Sequence, residues 1–468
     1  MNSHCKPRLI LVIFVALSML LVIACSASLS QSVAIHTSVP NATPTSSPVS
    51  TEIPMITPTA APTTTAIPVM ANGQEPPPCT FPLAQIMPPI SAPENYTFSN
   101  PKVVLTAPKG NFYAIAQWLP DNQQVLMTEA LFSTTEKSGQ DPQESISLFN
   151  PVTGMSKIYA NRLVTYELPS WQAGLNAVVY PAMNFLGIDQ NTHQPKFTRQ
   201  IWISHGDPNA AQLLADNRPQ LPLAVKPDGS KMLYLFDKQI SGRDNALNST
   251  PFVPFDPTQW DYAKSRRSAL PVSYEMAWQP GTLMIFLYSE GANGGGGYTF
   301  ILNADTGHIC ELNLGGWAEV ARWSPNGRYL AIIRSTRYTF PTYSAVLTVL
   351  DTATGNLTTP VVILQEMAGE HYVEGIAWAP DNRHLLAIEN ILLPQTSQGV
   401  SITYQWLLYL VDSISGQSVN VEPAYQNFTS SPNNSLAWST DGSKVVVHCP
   451  ISPSIDKLCL ISVNKTGK

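Results

Sequence analysis

The feature that most constrains this chain is a segment that occurs seven times between residues 117 and 448. Each copy joins an anchor residue, a few turn-forming residues and an apolar run, as in "RWSPNGRYLAII" at Arg322. Six of the ten tryptophans are anchors, and successive anchors lie 45 to 60 residues apart. The anchors are Trp118, Trp171, Val225, Trp278, Trp323, Trp378 and Trp438. A repeat of this length predicts an array of one supersecondary unit rather than several unrelated domains.

Two turn signals divide the repeats into strands, and the second of them recurs in many of the copies. The Asp-Gly, Asn-Gly and Asp-Asn pairs adopt positive φ easily, as a tight turn between antiparallel strands requires. The runs that follow, such as "YLAII" and "KVVV", are short and β-rich, which is typical of a strand buried on both faces. A second turn, such as "DTATG" at Asp351 or "DSISG" at Asp412, then leads to an outer strand. The unit therefore has about four strands in roughly 53 residues and almost no helical pattern.

Four-stranded units in sequence predict an all-β fold, a β-propeller. Seven copies predict seven blades, with six or eight as the alternatives. After Trp438 the chain has only two more strand signals, while "PKVVLTA", Pro101 to Ala107, precedes the first repeat. We expect this N-terminal strand to close the last blade, because the pairing removes two exposed edges. The segment from Asp237 to Ser273 has no clear strand signal and is expected to be an elaborated loop.

The repeats resemble the W-S-P-D-G repeats of TolB-like propellers, which are similar in form to WD-repeat proteins. The resemblance extends over about Pro101 to Asn464, nearly all of the expected folded chain. It implies a β-propeller. TolB itself has an α/β domain before its propeller, and this chain has a Pro-rich segment there instead. The role of TolB in the cell envelope is therefore not transferred.

The N-terminus has the pattern of an export signal. Lys6 and Arg8 precede an uninterrupted apolar stretch from Leu9 to Ala24, which matches the two regions of a secretory signal. The stretch ends in "VIAC", and these residues resemble the lipobox of bacterial lipoproteins. That resemblance implies a signal peptide over residues 1–24, cleavage before Cys25 and lipidation of Cys25, including acylation such as palmitate. The alternative is an uncleaved membrane anchor, because 16 apolar residues are only slightly short of a span.

Residues 25–78 are predicted to be a disordered stalk rich in Pro, Thr and Ser. Proline recurs every four to six residues over much of this segment, which blocks helices and sheet ladders. Such a chain favours extended polyproline II, at about 3.1 Å per residue, so fifty residues could span on the order of 150 Å. Residues 79–468 are then the propeller domain. Either form of the N-terminus predicts a protein held at the cell membrane and facing its extracytoplasmic side.

Composition limits the partners. Charged residues make up 12% of the chain and the formal net charge is −6, so nucleic-acid binding, which needs clustered Lys and Arg, is excluded. The expected partners are the lipid bilayer, through the acylated N-terminus, and an extracellular protein, peptide or glycan. We expect a monomer.

No residue pattern predicts a catalytic or metal site. The chain lacks the G-x-S-x-G, P-loop, G-x-G-x-x-G and H-E-x-x-H motifs,. The repeated tryptophans are better explained as wedges between blades, and the repeated turn aspartates as turn formers. These aspartates are Asp121, Asp228, Asp381 and Asp441. Catalytic residues, metal ligands and cofactors are therefore all predicted to be absent.

Four cysteines follow Cys25, and an even number in an exported chain favours disulfides. Cys449 and Cys459 flank adjacent strands of the last blade, so this pairing is the first choice. Cys79 with Cys310 then follows by elimination.

The leading functional hypothesis is a lipid-anchored propeller that binds a ligand and is not an enzyme. The alternative is an extracellular enzyme built on a propeller, such as a glycan lyase or hydrolase, with residues converging at the central funnel. A purely structural envelope protein is a third possibility. Function is expected where the copies differ, in loops such as Gly242 to Ser268 and Glu290 to Tyr298.

Overall fold

The computed structural model describes most of the chain from residue 77 onward, within one compact unit that spans Thr64–Lys468. The described residues are 77–84, 88–90, 92, 94–131, 143–163, 168–188, 195–215, 219–225, 231–236, 239–244, 249–254, 274–289, 299–303, 308–314, 317–337, 344–360, 370–392, 404–421, 436–449 and 456–466.

These residues form 29 strands and two short 3-10 turns, Ala173–Leu175 and Pro208–Ala210. The first fourteen strands are β1 (Asn95–Phe98), β2 (Lys102–Thr106), β3 (Asn111–Trp118), β4 (Val125–Leu131), β5 (Gln143–Phe149), β6 (Ser156–Leu163), β7 (Ser170–Gln172), β8 (Ala177–Ile188), β9 (Pro195–Ser204), β10 (Gln212–Ala215), β11 (Pro219–Val225), β12 (Lys231–Phe236), β13 (Gln239–Asp244) and β14 (Ser249–Pro254). The others are β15 (Tyr274–Trp278), β16 (Met284–Ser289), β17 (Thr299–Asn303), β18 (Ile309–Glu311), β19 (Trp317–Trp323), β20 (Tyr329–Arg337), β21 (Ser344–Asp351), β22 (Leu357–Thr358), β23 (Glu370–Trp378), β24 (His384–Leu392), β25 (Tyr404–Asp412), β26 (Ser418–Asn420), β27 (Leu436–Trp438), β28 (Lys444–His448) and β29 (Lys457–Thr466).

The strands build six hydrogen-bonded sheets in a β-propeller arrangement. Five have four or five strands, and the sixth has eight. The eight-stranded sheet consists of β19–β22 and β23–β26, which are joined by one parallel bridge between Ala345 and Tyr372. Because the eight-stranded sheet counts as two units, the six sheets contain seven repeating units, one for each repeat in the sequence. The units are numbered 1 to 7 in chain order, and unit 1 begins at β3. The all-β propeller is confirmed.

The N-terminal strand closes the last unit, as the sequence predicts. β2 pairs with β29 from Lys102↔Leu460 to Thr106↔Lys457, and β1 pairs with the far end of the same strand. The two strands together form the outer edge of unit 7 and cover an edge of β29 that would otherwise lack a partner.

The expectation of a loop from Asp237 to Ser273 is wrong for part of that segment. β13 and β14 lie there and complete the third sheet by antiparallel pairing with β12 and with each other. Residues 255–273 lie outside the described part. The sequence "QISGRD" has weak strand propensity, but hydrogen bonding to an adjacent strand outweighs intrinsic preference in a sheet.

The core consists of the seams between units, where side chains of adjacent sheets pack together. The second strands supply its centre: Leu330 to Ile333 and Val445 to Val447 are at most 2% exposed. Three anchor tryptophans, the first of them Trp118, bond across a seam as wedges between units would, whereas the indoles of Trp278 and Trp438 donate within their own turns. The indole N–H of Trp323 donates to the carbonyl of Ala277 in unit 4 at 2.8 Å, and that of Trp378 donates to Arg322 in unit 5 at 2.8 Å.

Each unit contributes loops to two opposite faces. The turns between its first and second strands, such as residues 324–328, and between its third and fourth strands, such as residues 352–356, lie on one face, which we call the turn face. The connections between second and third strands, and from one unit to the next, lie on the opposite face, which we call the loop face.

Candidate functional site

The turn face is occupied by the chain's own structure. Neighbouring turns bond to one another: the Asn382 side chain accepts from the Asn326 backbone at 2.6 Å, and Asn122 accepts from the Asp441 backbone at 3.0 Å. Gln279 donates to the carbonyl of Gly327 at 2.7 Å. These contacts link the turns of units 4, 5 and 6, and those of units 7 and 1. The turns, which are the most regular part of the repeat, therefore bond neighbouring units to one another.

The repeated aspartates act within their turns. The Asp381 side chain accepts from the backbone N–H groups of Arg383 and His384, each at 2.9 Å, and Asp121 accepts from Gln123 at 2.9 Å. Asp441 bonds Ser443 in the same way at 2.9 Å. Asp228 lies outside the described residues. These contacts support turn formation rather than catalysis, because the carboxylates satisfy local backbone donors.

An N-terminal segment crosses the turn face, and we call its described residues, 77–84, 88–90, 92 and 94–100, the strap. Its start is fixed to unit 4 by two backbone hydrogen bonds with Glu311, at 2.8 and 2.9 Å. Leu83 then donates to Thr352 at 3.0 Å, and the Arg328 guanidinium donates to the carbonyl of Pro88 at 2.7 Å. Phe81 fits over Gly355, where an added Cβ would lie 2.5 Å from the ring and where φ is +79°. The strap covers the turn face at units 4 and 5.

Further along, the strap contacts an aspartate–histidine pair in unit 6. His384 Nδ1 lies 2.6 Å from the Asp381 carboxylate, and the Tyr96 ring packs edge-on against His384 at 5.6 Å between centroids. The Tyr96 hydroxyl donates to Glu94 at 2.8 Å. Burial, together with the charge of Asp381, raises the pKa of Tyr96, so the phenol stays protonated. This cluster attaches the strap to unit 6.

The structure contains the disulfide bonding that the sequence predicts. Cys79 is bonded to Cys310 across 231 residues, and Cys449 to Cys459 across 10 residues. The first bridge joins the strap to the outer strand of unit 4. The second lies inside unit 7, where β28 and β29 pair.

On the loop face, a polar cluster lies at the seam between units 7 and 1. His448 Nδ1 is 2.9 Å from one oxygen of Asp456, and the other oxygen accepts from the Tyr113 backbone N–H at 2.7 Å. His448 is 5% exposed, and its Nε2 has no hydrogen-bond partner among the described residues. Burial and the charges of Glu129 and Asp456 raise the pKa of the Tyr113 phenol. Asp456 holds His448 in one orientation through Nδ1 and leaves Nε2 for another partner. A general base is oriented in the same way.

The next seam, between units 1 and 2, contains a buried ion pair. Arg162 Nε bonds Glu144 at 2.8 Å, and the two side chains are 1% and 5% exposed. The same guanidinium donates to the carbonyl of Pro181 in β8. Burial outweighs the nearby Arg162 charge and raises the pKa of Tyr180 to about 12. Through the bond to Pro181, this pair attaches β8 of unit 2 to unit 1.

β8 and β9 extend beyond the other strands of their sheet. They pair with each other from Val178↔Ser204 to Ile188↔Pro195, whereas β7 and β10 pair only as far as Val179 and Ile201. We call the two-stranded segment, residues 181–188 and 195–200, the ribbon. It projects towards the loop face.

The outer part of the ribbon exposes apolar side chains. Phe185, Leu186, Ile188 and Phe197 are 43%, 58%, 60% and 41% exposed. The two Phe rings lie 5.6 Å apart with an angle of 55° between their planes. Leu186 is the extra residue of a bulge next to Gly187, whose φ is +105°. Large exposed side chains grouped in this way are typical of interaction surfaces.

The other residues singled out from the sequence are placed as follows. Cys25 and the loop Glu290 to Tyr298 lie outside the described residues. Of Gly242 to Ser268, the structure describes residues 242–244 and 249–254, which lie in β13 and β14. Among the described residues, no group of three or more His, Cys, Asp or Glu is arranged to hold a metal ion. No helix in the described ranges is long and apolar enough to cross a membrane.

Sequence reasoning missed the ribbon and the His448–Asp456 pair. The signal for the ribbon was the length of the apolar run "AVVYPAMNFLGI", which continues for 12 residues where β4 has 7. His448 and Asp456 meet across the β28–β29 hairpin. The Tyr113 backbone that fixes Asp456 reaches it only through the closure of the ring, and no local sequence signal marks that contact.

Comparison with known proteins finds distant structural likenesses alone. No protein-family model matches the chain, and no curated protein matches it. An oligogalacturonate lyase in complex with manganese aligns at 10% identity with a TM-score of 0.46, over 80% of this chain and 98% of that one. An oligogalacturonate lyase from Vibrio parahaemolyticus aligns at 9% identity, with a TM-score of 0.44, over 79% and 98%. The β-propeller domain of the Trilobed protease from Pyrococcus furiosus aligns at 9% identity with a TM-score of 0.42, over 76% of this chain and 96% of that one. At these values no activity is carried over; the sheets of this structure themselves establish the chain as a β-propeller of four-stranded units.

Proposed function

We propose that this protein is a lipid-anchored, extracytoplasmic propeller of the TolB-like kind that binds a ligand through its loop face. The export signal, Cys25 and the Pro-rich stalk support the location. Two or more acyl chains would hold the protein stably at the bilayer, where a single chain is marginal. The stalk would separate the propeller from the membrane surface.

The observation that carries the binding role is the exposed apolar part of the ribbon. Its four side chains are exposed by 41% to 60% on a projecting segment. The strap covers the turn face at units 4 and 5, so this part of the turn face is closed to a ligand. The ligand class is a protein, peptide or glycan, and the protein is a monomer.

Two experiments test this proposal. If the protein is lipid-anchored, labelled palmitate is incorporated and Cys25→Ser releases the protein from membranes. A membrane-bound, unlabelled protein contradicts the lipid anchor. The binding role requires that the full-length chain in lipid nanodiscs retains extracellular proteins or glycans, and that Leu186→Asp reduces retention. Val152→Asp on the turn face, where Val152 is 66% exposed, is the matched control.

A second candidate function, an enzyme, is supported by the His448–Asp456 pair. In the neutral tautomer with Nδ1–H donated to Asp456, Nε2 could accept a proton from a substrate hydroxyl. We place it second because Nε2 is buried. Turnover of a polysaccharide panel that disappears with His448→Ala, while thermal stability is kept, would support the enzyme over the binding module.

A further inference from the structure

We propose that the Cys79–Cys310 bridge is a mechanical clamp, which transfers tension from the preceding chain to unit 4 and keeps that tension away from the closure of the ring. The inference rests on the proposed membrane anchor. A propeller that is held at a bilayer through its N-terminal side and bound to a ligand elsewhere is pulled through the strap. The bridge then has a task beyond the stability of the fold.

The closure of the ring is the part of the propeller that such tension would open. β1 has four residues and pairs with β29 from Asn95↔Thr466 to Phe98↔Val463. The first residue of β1 therefore lies opposite the end of β29, so a force that separates these two ends opens the residue pairs one at a time. β2 follows β1 along the same strand and would open in the same direction. Each step breaks only one or two backbone hydrogen bonds, which are individually weak in net terms.

Between Cys79 and β1, separate contacts hold the strap to the turn face. The Leu83 backbone donates to Thr352 at 3.0 Å, and the Arg328 guanidinium donates to the carbonyl of Pro88 at 2.7 Å. These contacts follow one another along the chain, so tension from the N-terminal side would meet them in series. They therefore do not share the force before it reaches β1.

The bridge attaches the chain at a buried and well-supported place. Cys310 is 7% exposed and lies in β18, opposite Ile301 of β17. Cys79 packs against the core cluster between units 4 and 5. Two backbone hydrogen bonds between the strap and Glu311, at 2.8 and 2.9 Å, flank the same point. A covalent bond here leads tension into the core of two units. The rest of the strap and both closing strands lie within the loop that the bridge closes, outside the covalent path of the force.

The test is single-molecule pulling of the full-length chain in optical tweezers, with handles attached through reactive amino acids at Gln74 and Lys468. The parent is compared with the Cys79→Ser/Cys310→Ser variant. In the variant we expect an early step, at lower force than global unfolding and up to about 90 Å long, because residues 80–106 are released at about 3.4 Å each. The parent should lack this step. Its total extension should be shorter by the 231 residues of the closed loop, on the order of 800 Å.

The matched control is Cys449→Ser/Cys459→Ser, which removes the bridge inside unit 7 and keeps the clamp. This control should lack the early step. A phosphine reductant added to its folded molecules then cleaves the clamp alone of the two bridges, and the early step should appear. This second comparison holds even where the serine variant of the clamp does not fold.

Two results overturn the clamp. One is an early step of the same length and force in the parent. The other is a serine variant or reduced control that unfolds in one step at the force of the parent. The measurement contains neither membrane nor ligand, so these results leave the proposed anchor and binding role as they stand. Failure of palmitate labelling instead removes the membrane as the source of tension and leaves the pulling result unchanged.

Discussion

The bridge between Cys79 and Cys310 should contribute more stability than the bridge inside unit 7. A disulfide removes loop-closure entropy from the unfolded chain, and the effect grows with the length of the closed loop. For the 231-residue separation of Cys79 and Cys310 the chain-entropy relation gives about 5 kcal/mol. For the 10-residue separation of Cys449 and Cys459 the same relation gives about 3 kcal/mol. The first bridge also fixes the strap, whose later part supplies β1 and leads into β2.

The assay is urea unfolding of two double variants, Cys79→Ser/Cys310→Ser and Cys449→Ser/Cys459→Ser, followed by tryptophan fluorescence. We expect the first to lose about 5 kcal/mol and the second about 3 kcal/mol of unfolding free energy. Limited proteolysis should then cut the first variant within residues 80–106. A loss below about 1 kcal/mol for the first variant, or a larger loss for the second, would refute the reasoning.

Four further predictions concern closure, the seams and one turn. Deleting residues up to Leu105 should lower the thermal midpoint markedly, because β29 loses its edge partner; an unchanged midpoint contradicts the closure. Trp323→Phe should lower the free energy of unfolding by about 1 kcal/mol, since it removes a hydrogen bond between units. Trp278→Phe is the control, because the indole of Trp278 bonds its own turn. Glu144→Leu should lower the free energy of unfolding by about 3 kcal/mol or more, because it removes the ion-pair partner of the buried Arg162,. Adding Arg162→Met should restore part of that loss. Burial alone would raise the pKa of Asp412, but the hydrogen bond from an arginine lowers it to about 2. Its contribution to stability is present above the unfolded pKa of about 4 and is lost as pH falls towards 2. Asp412→Asn should therefore flatten the decline in stability measured between those pH values.

The repeat predicts most of the fold because its signals are local. The turn after Trp323 forms within six residues: the Ser324 side chain accepts from the Tyr329 backbone at 2.9 Å, and Gly327 has φ of +77°. The strand that follows is apolar on both faces, so burial fixes its place. Seven such units can bury their faces only against one another, which leads to the ring and to its closure by the N-terminal strand.

The candidate site could not be predicted in the same way. His448 and Asp456 meet in unit 7 and are fixed by Tyr113, more than 300 residues away in the sequence. β13 was missed because its pairing with β12, not its composition, makes it a strand. The ribbon shows a long β-rich run in the sequence, but only the register shows that β7 and β10 stop before Phe185 and Phe197.

The central claim, that ligands are bound at the loop face, is tested most directly by photo-cross-linking on intact cells. A photoreactive amino acid is placed at Leu186 in the ribbon or at Val152 on the turn face, two positions that are 58% and 66% exposed. We expect a discrete adduct with an extracellular ligand at Leu186 and none at Val152. An adduct at Val152 alone, or equal adducts at both positions, would contradict it.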